Sequence, residues 1–136
     1  MTYSSSCPEF EISTEAELIT CLNDLRPECI KLINTDLIID KALEHWNLFK
    51  NGVSKKLLIP NIIFDPRFPT DDLGIIISFY WKNKTEWLCC ELLVDGSFEF
   101  QYRNKITKEE LGEDYHPEDN NFPEGIFELL FKFTED

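Results

Sequence analysis

One stretch of the sequence concentrates groups that could bind a cationic partner. Residues 109–124 contain seven carboxylates and no lysine or arginine, and two aromatic residues lie among them. Carboxylates steer the approach of a positively charged surface, and aromatic side chains supply contact area once two surfaces meet. A solvated acidic loop would have the same composition. The segment therefore predicts either a solvent-facing loop or a binding surface made of Glu109, Glu110, Glu113, Asp114, Tyr115, Glu118, Asp119 and Phe122.

Metal chemistry is not indicated by these carboxylates. The sequence lacks the series of alternating Asp or Asn residues, a glycine and a terminal glutamate that forms a calcium loop. No two cysteines have the spacing of a zinc-ligand pair. We therefore expect no metal and no cofactor, and we expect reduced thiols at Cys7, Cys21, Cys29, Cys89 and Cys90.

Nucleophilic catalysis would need one of these cysteines beside His45 or His116. The sequence contains no glycine-rich phosphate loop and no nucleophile elbow. His45 has no second ligand at i+3 or i+4, so we expect a surface or boundary residue. The carboxylates around His116 should raise its pKa, which suits a pH-sensitive contact more than a general base. We expect a protein that is not an enzyme, with a cysteine–histidine hydrolase as an alternative.

Bulk charge narrows the possible partners. Twenty-six acidic and thirteen basic side chains give a formal net charge of -13, which disfavours nucleic acid and anionic membranes and favours a basic protein. A length of 136 residues predicts a single domain over residues 9–136, after a flexible tail over residues 1–8. The sequence shows neither an apolar run of membrane-spanning length nor a secretion signal, so we expect a cytoplasmic location.

The elements that would hold these groups are clearest in the middle of the chain. Three β-branched or aromatic runs are separated by turn residues, and Asp95-Gly96 is typical of a two-residue type I′ hairpin. In the third run, three aromatic residues alternate with polar ones, which predicts one apolar face. The three predicted strands of this antiparallel meander cover residues 75–81, 87–94 and 98–103, and the alternating aromatic residues are Phe98, Phe100 and Tyr102.

Two helical patterns precede this meander. Thr14 to Glu17 matches a capping box, and it opens a helix that Pro27 should end. Residues 39–49 carry apolar side chains at helical spacing, with Thr35 or Asp36 as N-cap and a left-handed C-cap at Asn51-Gly52. The apolar stripes are Leu18, Leu22 and Leu25 in the first helix and Ile39, Ala42, Leu43, Trp46 and Phe49 in the second.

The remaining segments have weaker patterns. Cys29 to Ile33 predicts a strand, and Phe10 to Ile12 predicts a short edge strand. Residues 53–73 contain three prolines, which disfavour a regular central strand and predict an extended segment along the core or a sheet edge. Residues 123–136 predict a third helix, with Ile126, Phe127, Leu130 and Phe133 packed on the sheet.

These patterns together predict an α+β fold: an antiparallel β-meander of about four strands with two to three helices packed on one face. The predicted second helix, the connection with its prolines, Gly74 to Trp81 and Leu92 to Tyr102 resemble small, poorly characterised bacterial proteins over roughly residues 36–103. Those proteins are similar to products of mobile-element, toxin-immunity and defence loci. The resemblance implies no catalytic residues.

The functional expectation combines this resemblance with the charge. We expect a non-enzymatic inhibitor, immunity protein or antitoxin, monomeric or weakly dimeric, that binds a basic partner. The partner would be a toxin, a nuclease or a subunit of a defence complex, with no direct contact to nucleic acid or membrane. The alternative is a structural or regulatory subunit of a larger complex that binds through an apolar sheet face.

Overall fold

In the computed structural model, residues 9–66, 75–93, 97–115 and 125–135 are described. Within these ranges the chain forms six strands and four helices, so the α+β class is confirmed and the predicted number of strands is too low. The predicted tail over residues 1–8 lies outside the described residues. In chain order the elements are β1 (Glu9–Phe10), α1 (Glu15–Asp24), α2 (Arg26–Ile33), α3 (Leu37–Asn51), β2 (Asn61–Pro66), β3 (Ile75–Lys82), β4 (Glu86–Leu93), β5 (Phe98–Asn104), β6 (Glu110–Tyr115) and α4 (Gly125–Phe131).

The strands form one antiparallel sheet in the order β1-β2-β3-β4-β5-β6, so each strand lies beside its neighbours in the sequence. The predicted meander is confirmed as β3, β4 and β5, in which Phe79 pairs with Cys90 and Cys90 with Phe100. The predicted hairpin dipeptide Asp95-Gly96 lies outside the described residues.

One face of the sheet carries the core. Because side chains alternate along a strand, Phe98, Phe100 and Tyr102 share the buried face of β5 while Gln101 and Arg103 are exposed on the other face. The helices cover the buried face, since their apolar residues form a single cluster with those of the strands. The members of this cluster from the strands β2 to β5 are Ile62, Phe64, Ile75, Ile77, Phe79, Trp81, Leu88, Cys90, Leu92, Phe98, Phe100 and Tyr102.

The first helix begins and packs as predicted. Thr14 Oγ1 accepts the N–H of Glu17 at 3.1 Å, and the Glu17 carboxylate accepts the N–H of Thr14 at 3.1 Å, which completes the capping box. Leu18 and Leu22 are fully buried, and the helix ends at Asp24. The capping box therefore fixes where the chain turns from β1 towards the helical layer.

The predicted strand from Cys29 to Ile33 is wrong, because these residues belong to α2. Pro27 lies in the first turn of α2, where N–H groups have no acceptor within the helix, so the missing N–H of proline costs no hydrogen bond. Pro27 thus begins a second helix directly after the first one ends. Asn34 closes α2 in a left-handed conformation at φ 63°.

The third helix has the predicted stripe and begins where predicted, after Thr35 and Asp36, but its C-terminal end differs from the prediction. Thr35 Oγ1 accepts the N–H of Leu37 at 3.2 Å, whereas Asp36, the N-cap, makes no side-chain cap. The predicted left-handed cap at Gly52 is wrong, since Gly52 is right-handed at φ -86°. A Cβ at this position would overlap the ring of Phe127. Glycine is needed here for close packing between the end of α3 and α4.

The connection after α3 contains a regular strand, contrary to the expectation from its prolines. β2 pairs with β1 on one side and β3 on the other. Pro60 precedes the strand and Pro66 is its last residue, so the central N–H groups remain available for the sheet. The predicted C-terminal helix is confirmed as α4, but it ends at Phe131. Ile126 and Leu130 are buried and Phe127 is partly buried in this helix, and Phe133 is buried in the turn that follows it.

Candidate protein-binding surface

The acidic segment forms a strand in its first half. Glu110 to Tyr115 is β6, the terminal strand in the sheet order, and it pairs with β5 from Arg103–Glu110 to Phe98–Tyr115. The interpretation of these residues as a solvated loop is therefore wrong. A strand at the edge of a sheet is held mainly by backbone hydrogen bonds to its neighbour. β6 therefore does not need the alternation of apolar residues by which a strand is recognised in a sequence.

The structure brings several predicted binding residues together on this edge. Glu109 directly precedes β6, and both it and Glu110 are exposed. Glu113, Asp114 and Tyr115 follow in β6, where their backbone pairs with Phe100, Glu99 and Phe98. The other three predicted residues, Glu118, Asp119 and Phe122, lie outside the described residues.

Charge is mixed at the start of this strand. The Glu110 carboxylate forms an ion pair of 2.7 Å with the Arg103 guanidinium, which partly neutralises it. Lys105 and Lys108 are exposed in the preceding turn. The rest of the acidic segment, residues 113–124, contains five carboxylates and no lysine or arginine in its sequence.

Side chains of the turn itself hold the chain before β6, and Thr107 Oγ1 accepts the N–H of Glu109 at 3.3 Å. Asn104 Oδ1 accepts the N–H of Ile106 at 2.9 Å and that of Thr107 at 3.0 Å. The Asn104 N–H donates to the Glu109 carbonyl at 2.9 Å and closes the hairpin. This turn places Ile106 at its tip with 73% of its surface exposed. An apolar contact residue is thus presented next to the acidic strand.

A cavity of about 310 Å³ lies beside β6. The Trp87 ring forms part of its wall, the Arg103 guanidinium lies 5.6 Å from the centre of that ring, and Gly112 lies opposite Gln101 on the edge strand. Our sequence interpretation missed this cavity. An isolated glycine within a strand indicates a bulge or a close backbone approach, but Gly112 lay in a segment that the charge pattern assigned to a loop. The lining residues are Trp87, Gln101, Tyr102, Arg103, Glu110, Leu111 and Gly112.

His45 does not lie at the surface, contrary to the sequence prediction. It is 5% exposed, and its ring packs edge-on against Phe49 and Phe98, with centroids 5.9 Å and 5.4 Å away. Position 45 belongs to the face of α3 that meets the sheet. Burial lowers the pKa of His45 to about 4, with a smaller contribution from the charge of Lys41. The imidazole is therefore neutral at pH 7.

The cysteines within the described ranges are free thiols. Burial raises the pKa of Cys29 to about 11 and that of Cys89 to about 12, and it also raises the pKa values of Cys21 and Cys90. All four thiols are protonated at neutral pH, which disfavours nucleophilic attack by them. Cys7 and His116 lie outside the described residues.

The described residues show neither a metal-binding cluster nor a membrane-spanning helix. In those ranges no group of three or more His, Cys, Asp and Glu side chains is placed to hold a metal ion. No helix there has both the length and the apolar character that spanning a bilayer would require.

The fold and this surface define an α+β protein with an antiparallel meander and an acidic outer strand. Comparisons of the chain with protein-family models, with curated proteins and with solved structures find no match.

Proposed function

We propose that the protein is a non-enzymatic binding domain that holds a basic partner protein against its β6 edge, as an inhibitor, immunity protein or antitoxin would. The observation that carries this proposal is the position of the acidic segment. Its first half forms the terminal strand of the sheet, so its carboxylates are attached to a fixed backbone. A fixed acidic edge can orient a cationic protein as well as attract it.

The overall charge supports a basic partner. With a formal net charge of -13, the protein repels anionic surfaces and attracts cationic ones. Arg103, the arginine beside this edge, already pairs with the Glu110 carboxylate, which makes it a weaker site for a phosphate backbone. A toxin, a nuclease or a basic subunit of a defence complex, met in the cytoplasm, has the charge that this edge would attract. The resemblance to bacterial immunity and defence proteins stays a prediction.

Apolar side chains near the acidic strand supply contact area for such a partner. Ile106 is exposed at the tip of the turn, and Leu111 is 46% exposed in β6 although it pairs with the buried Tyr102. Interfaces gain most of their stability from a few buried side chains, and surrounding charges mainly set the rate and orientation of association. The edge offers both kinds of group.

A capture experiment tests the proposal. The acidic-segment variant carries Glu113→Ser, Asp114→Ser, Glu118→Ser and Asp119→Ser together. A matched control removes four exposed carboxylates from other parts of the chain, with Glu11→Ser, Asp24→Ser, Glu28→Ser and Glu128→Ser. We expect wild type and control to capture the same basic protein from the source cell, and the acidic-segment variant to lose it.

Kinetic measurements with the captured protein then separate two roles of the acidic segment. Removing steering charges should lower the association rate about tenfold or more at low salt, with a smaller effect on dissociation. Added salt should weaken the wild-type complex. If the variant binds with unchanged rates, the segment only keeps the protein soluble and the proposal is wrong.

The alternative role, a subunit that binds through an apolar sheet face, would use the face opposite to the helices. On that face Tyr80 and Trp87 are half-buried, and their ring centroids lie 6.3 Å apart. Gln101 and Arg103 are exposed on the same face, which makes it mixed in character. Light scattering of the purified protein separates the two roles, because an unpartnered apolar face should self-associate whereas the proposed inhibitor should stay monomeric or weakly dimeric.

A further inference from the structure

We propose that the partner supplies an extended basic segment, which pairs with β6 as a seventh strand and places one large side chain in the cavity beside Gly112. This inference rests on the proposed function and specifies how the partner docks. It follows from the hydrogen-bond register of β6, from the cavity at its edge and from its charge.

The register determines which backbone groups of β6 face away from the sheet. The Asn104 N–H bonds to the Glu109 carbonyl, and hydrogen-bonded pairs alternate along an antiparallel ladder. Leu111, Glu113 and Tyr115 therefore bond to β5. The N–H and C=O groups of the residues between them, Glu110, Gly112 and Asp114, point away from β5.

The neighbouring hairpin gives the same register independently. The Leu93 N–H donates to the Ser97 carbonyl at 3.0 Å, so Ser97, Glu99 and Gln101 bond towards β4. The residues between them, such as Phe98 and Phe100, are left to bond towards β6. This agreement fixes the outward groups of β6 at every second residue, which is the spacing that an added strand requires.

The cavity gives such a strand a place for a side chain. Residues directly opposite each other in a sheet have their side chains on the same face. A residue added opposite Gly112 would therefore place its side chain on the face of Gln101 and Trp87, where Gly112 itself has none. The volume of about 310 Å³ is at the low end for a ligand pocket and has room for one large side chain.

Charge selects a basic segment over a second copy of this chain. Pairing two β6 strands would place the carboxylates of one copy close to those of the other, and like charges on facing strands destabilise a sheet. A lysine- or arginine-rich strand would place opposite charges there instead. The occupant is therefore a basic segment of another protein.

The test uses a peptide probe of seven alternating arginine and valine residues, acetylated and amidated at its ends. A control peptide has proline in place of the central valine, which keeps the charge and interrupts the backbone ladder. Both are titrated into isotope-labelled full-length protein, up to millimolar concentration, while amide exchange and chemical shifts are followed by NMR.

The expected result is an alternating pattern. In the free protein the amides of Leu111 and Glu113 should exchange slowly, and those of Glu110, Gly112 and Asp114 rapidly. The alternating peptide should protect the three rapid amides and bind about tenfold more tightly than the proline peptide, because the proline peptide loses backbone hydrogen bonds. Trp87→Ala should weaken the alternating peptide severalfold and leave the salt dependence unchanged.

Other results would overturn the inference without deciding the proposed function. Equal binding of both peptides, without protection of the three rapid amides, would show charge attraction alone and rule out strand addition. If neither peptide perturbs β6, docking along this edge is wrong. The capture experiment with the acidic-segment variant decides the proposed function separately, because it requires no particular backbone geometry.

Discussion

The centre of the sheet and its β6 edge are built on opposite principles. At the centre, Phe49 of α3 is fully buried against the rings of His45, Phe79, Trp81 and Phe98. At the edge, β6 pairs with β5 alone among the described strands, and its described side chains are exposed. Stability is therefore concentrated away from the candidate binding surface, and substitutions should affect the two properties separately.

The largest effect on stability is expected at the centre. Phe49→Ala should lower the free energy of unfolding by about 3 to 5 kcal/mol, because it removes a fully buried ring from an aromatic cluster. Urea denaturation followed by tryptophan fluorescence measures this change. A loss below about 1 kcal/mol would mean that the neighbouring side chains fill the space left by the Phe49 ring. The centre of the sheet would then contribute no more to stability than the β6 edge.

A pH effect of similar size is expected from His45. Its pKa of about 4 in the folded protein lies below the ordinary value of 6.5, so the unfolded chain binds more protons between these two pH values. Stability should therefore fall as the pH is lowered from 6.5 to 4, by on the order of 3 kcal/mol. Denaturation of wild type and His45→Leu at several pH values isolates this contribution. Parallel pH curves for the two proteins would contradict it.

A smaller effect is expected at the start of α1. Thr14→Ala should lower the free energy of unfolding by about 1 kcal/mol, because the Glu17 N–H loses its acceptor. Thr20→Ala is the matched control, since Thr20 is an exposed residue in the same helix. Equal changes in the two variants, measured by thermal or urea denaturation, would show that the capping box does not determine this difference.

The smallest effect on stability is expected at the edge. Glu110→Gln breaks the ion pair with Arg103, but both side chains are at least half exposed, so the free energy of unfolding should change by less than about 1 kcal/mol. The same denaturation assay measures it. A loss above about 2 kcal/mol would mean that β6 is as integral to stability as the centre, and would remove the separation of stability from binding.

The sequence predicted the regions in which local pattern and tertiary packing agree. Two predictions are confirmed: the buried alternation of Phe98, Phe100 and Tyr102, and the capping box at Thr14. Each depends on residues that are close together in the sequence, so the local pattern already contains the interaction. The predicted strand from Cys29 to Ile33 is wrong because a short apolar run does not distinguish a strand from a helix. Pro27 lies at the beginning of α2 and does not only mark the end of α1.

The candidate surface was predictable in charge but not in geometry. Composition identified the acidic residues from Glu109 onwards, whereas only pairing with β5 shows that Glu110 to Tyr115 form a strand. The contact between Glu110 and Arg103 and the cavity at Gly112 also depend on that register. The expectation of a surface or boundary position for His45 came from its lack of a second ligand, although the residue lies three positions after Ala42 and four before Phe49, on the apolar face of α3.

The sheet order has a consequence for how quickly the protein folds. From β2 to β6 each strand pairs with the next one in the chain, so this part of the sheet can grow by successive hairpins that close short loops, which is the topology associated with rapid folding among sheet proteins. β1 joins β2 across residues 11–60 and three helices, so its pairing should form later. The bridge between Leu57 and Thr134 joins distant parts of the chain and should form late. Refolding kinetics should therefore show early hairpin formation, followed by docking of the C-terminal helix.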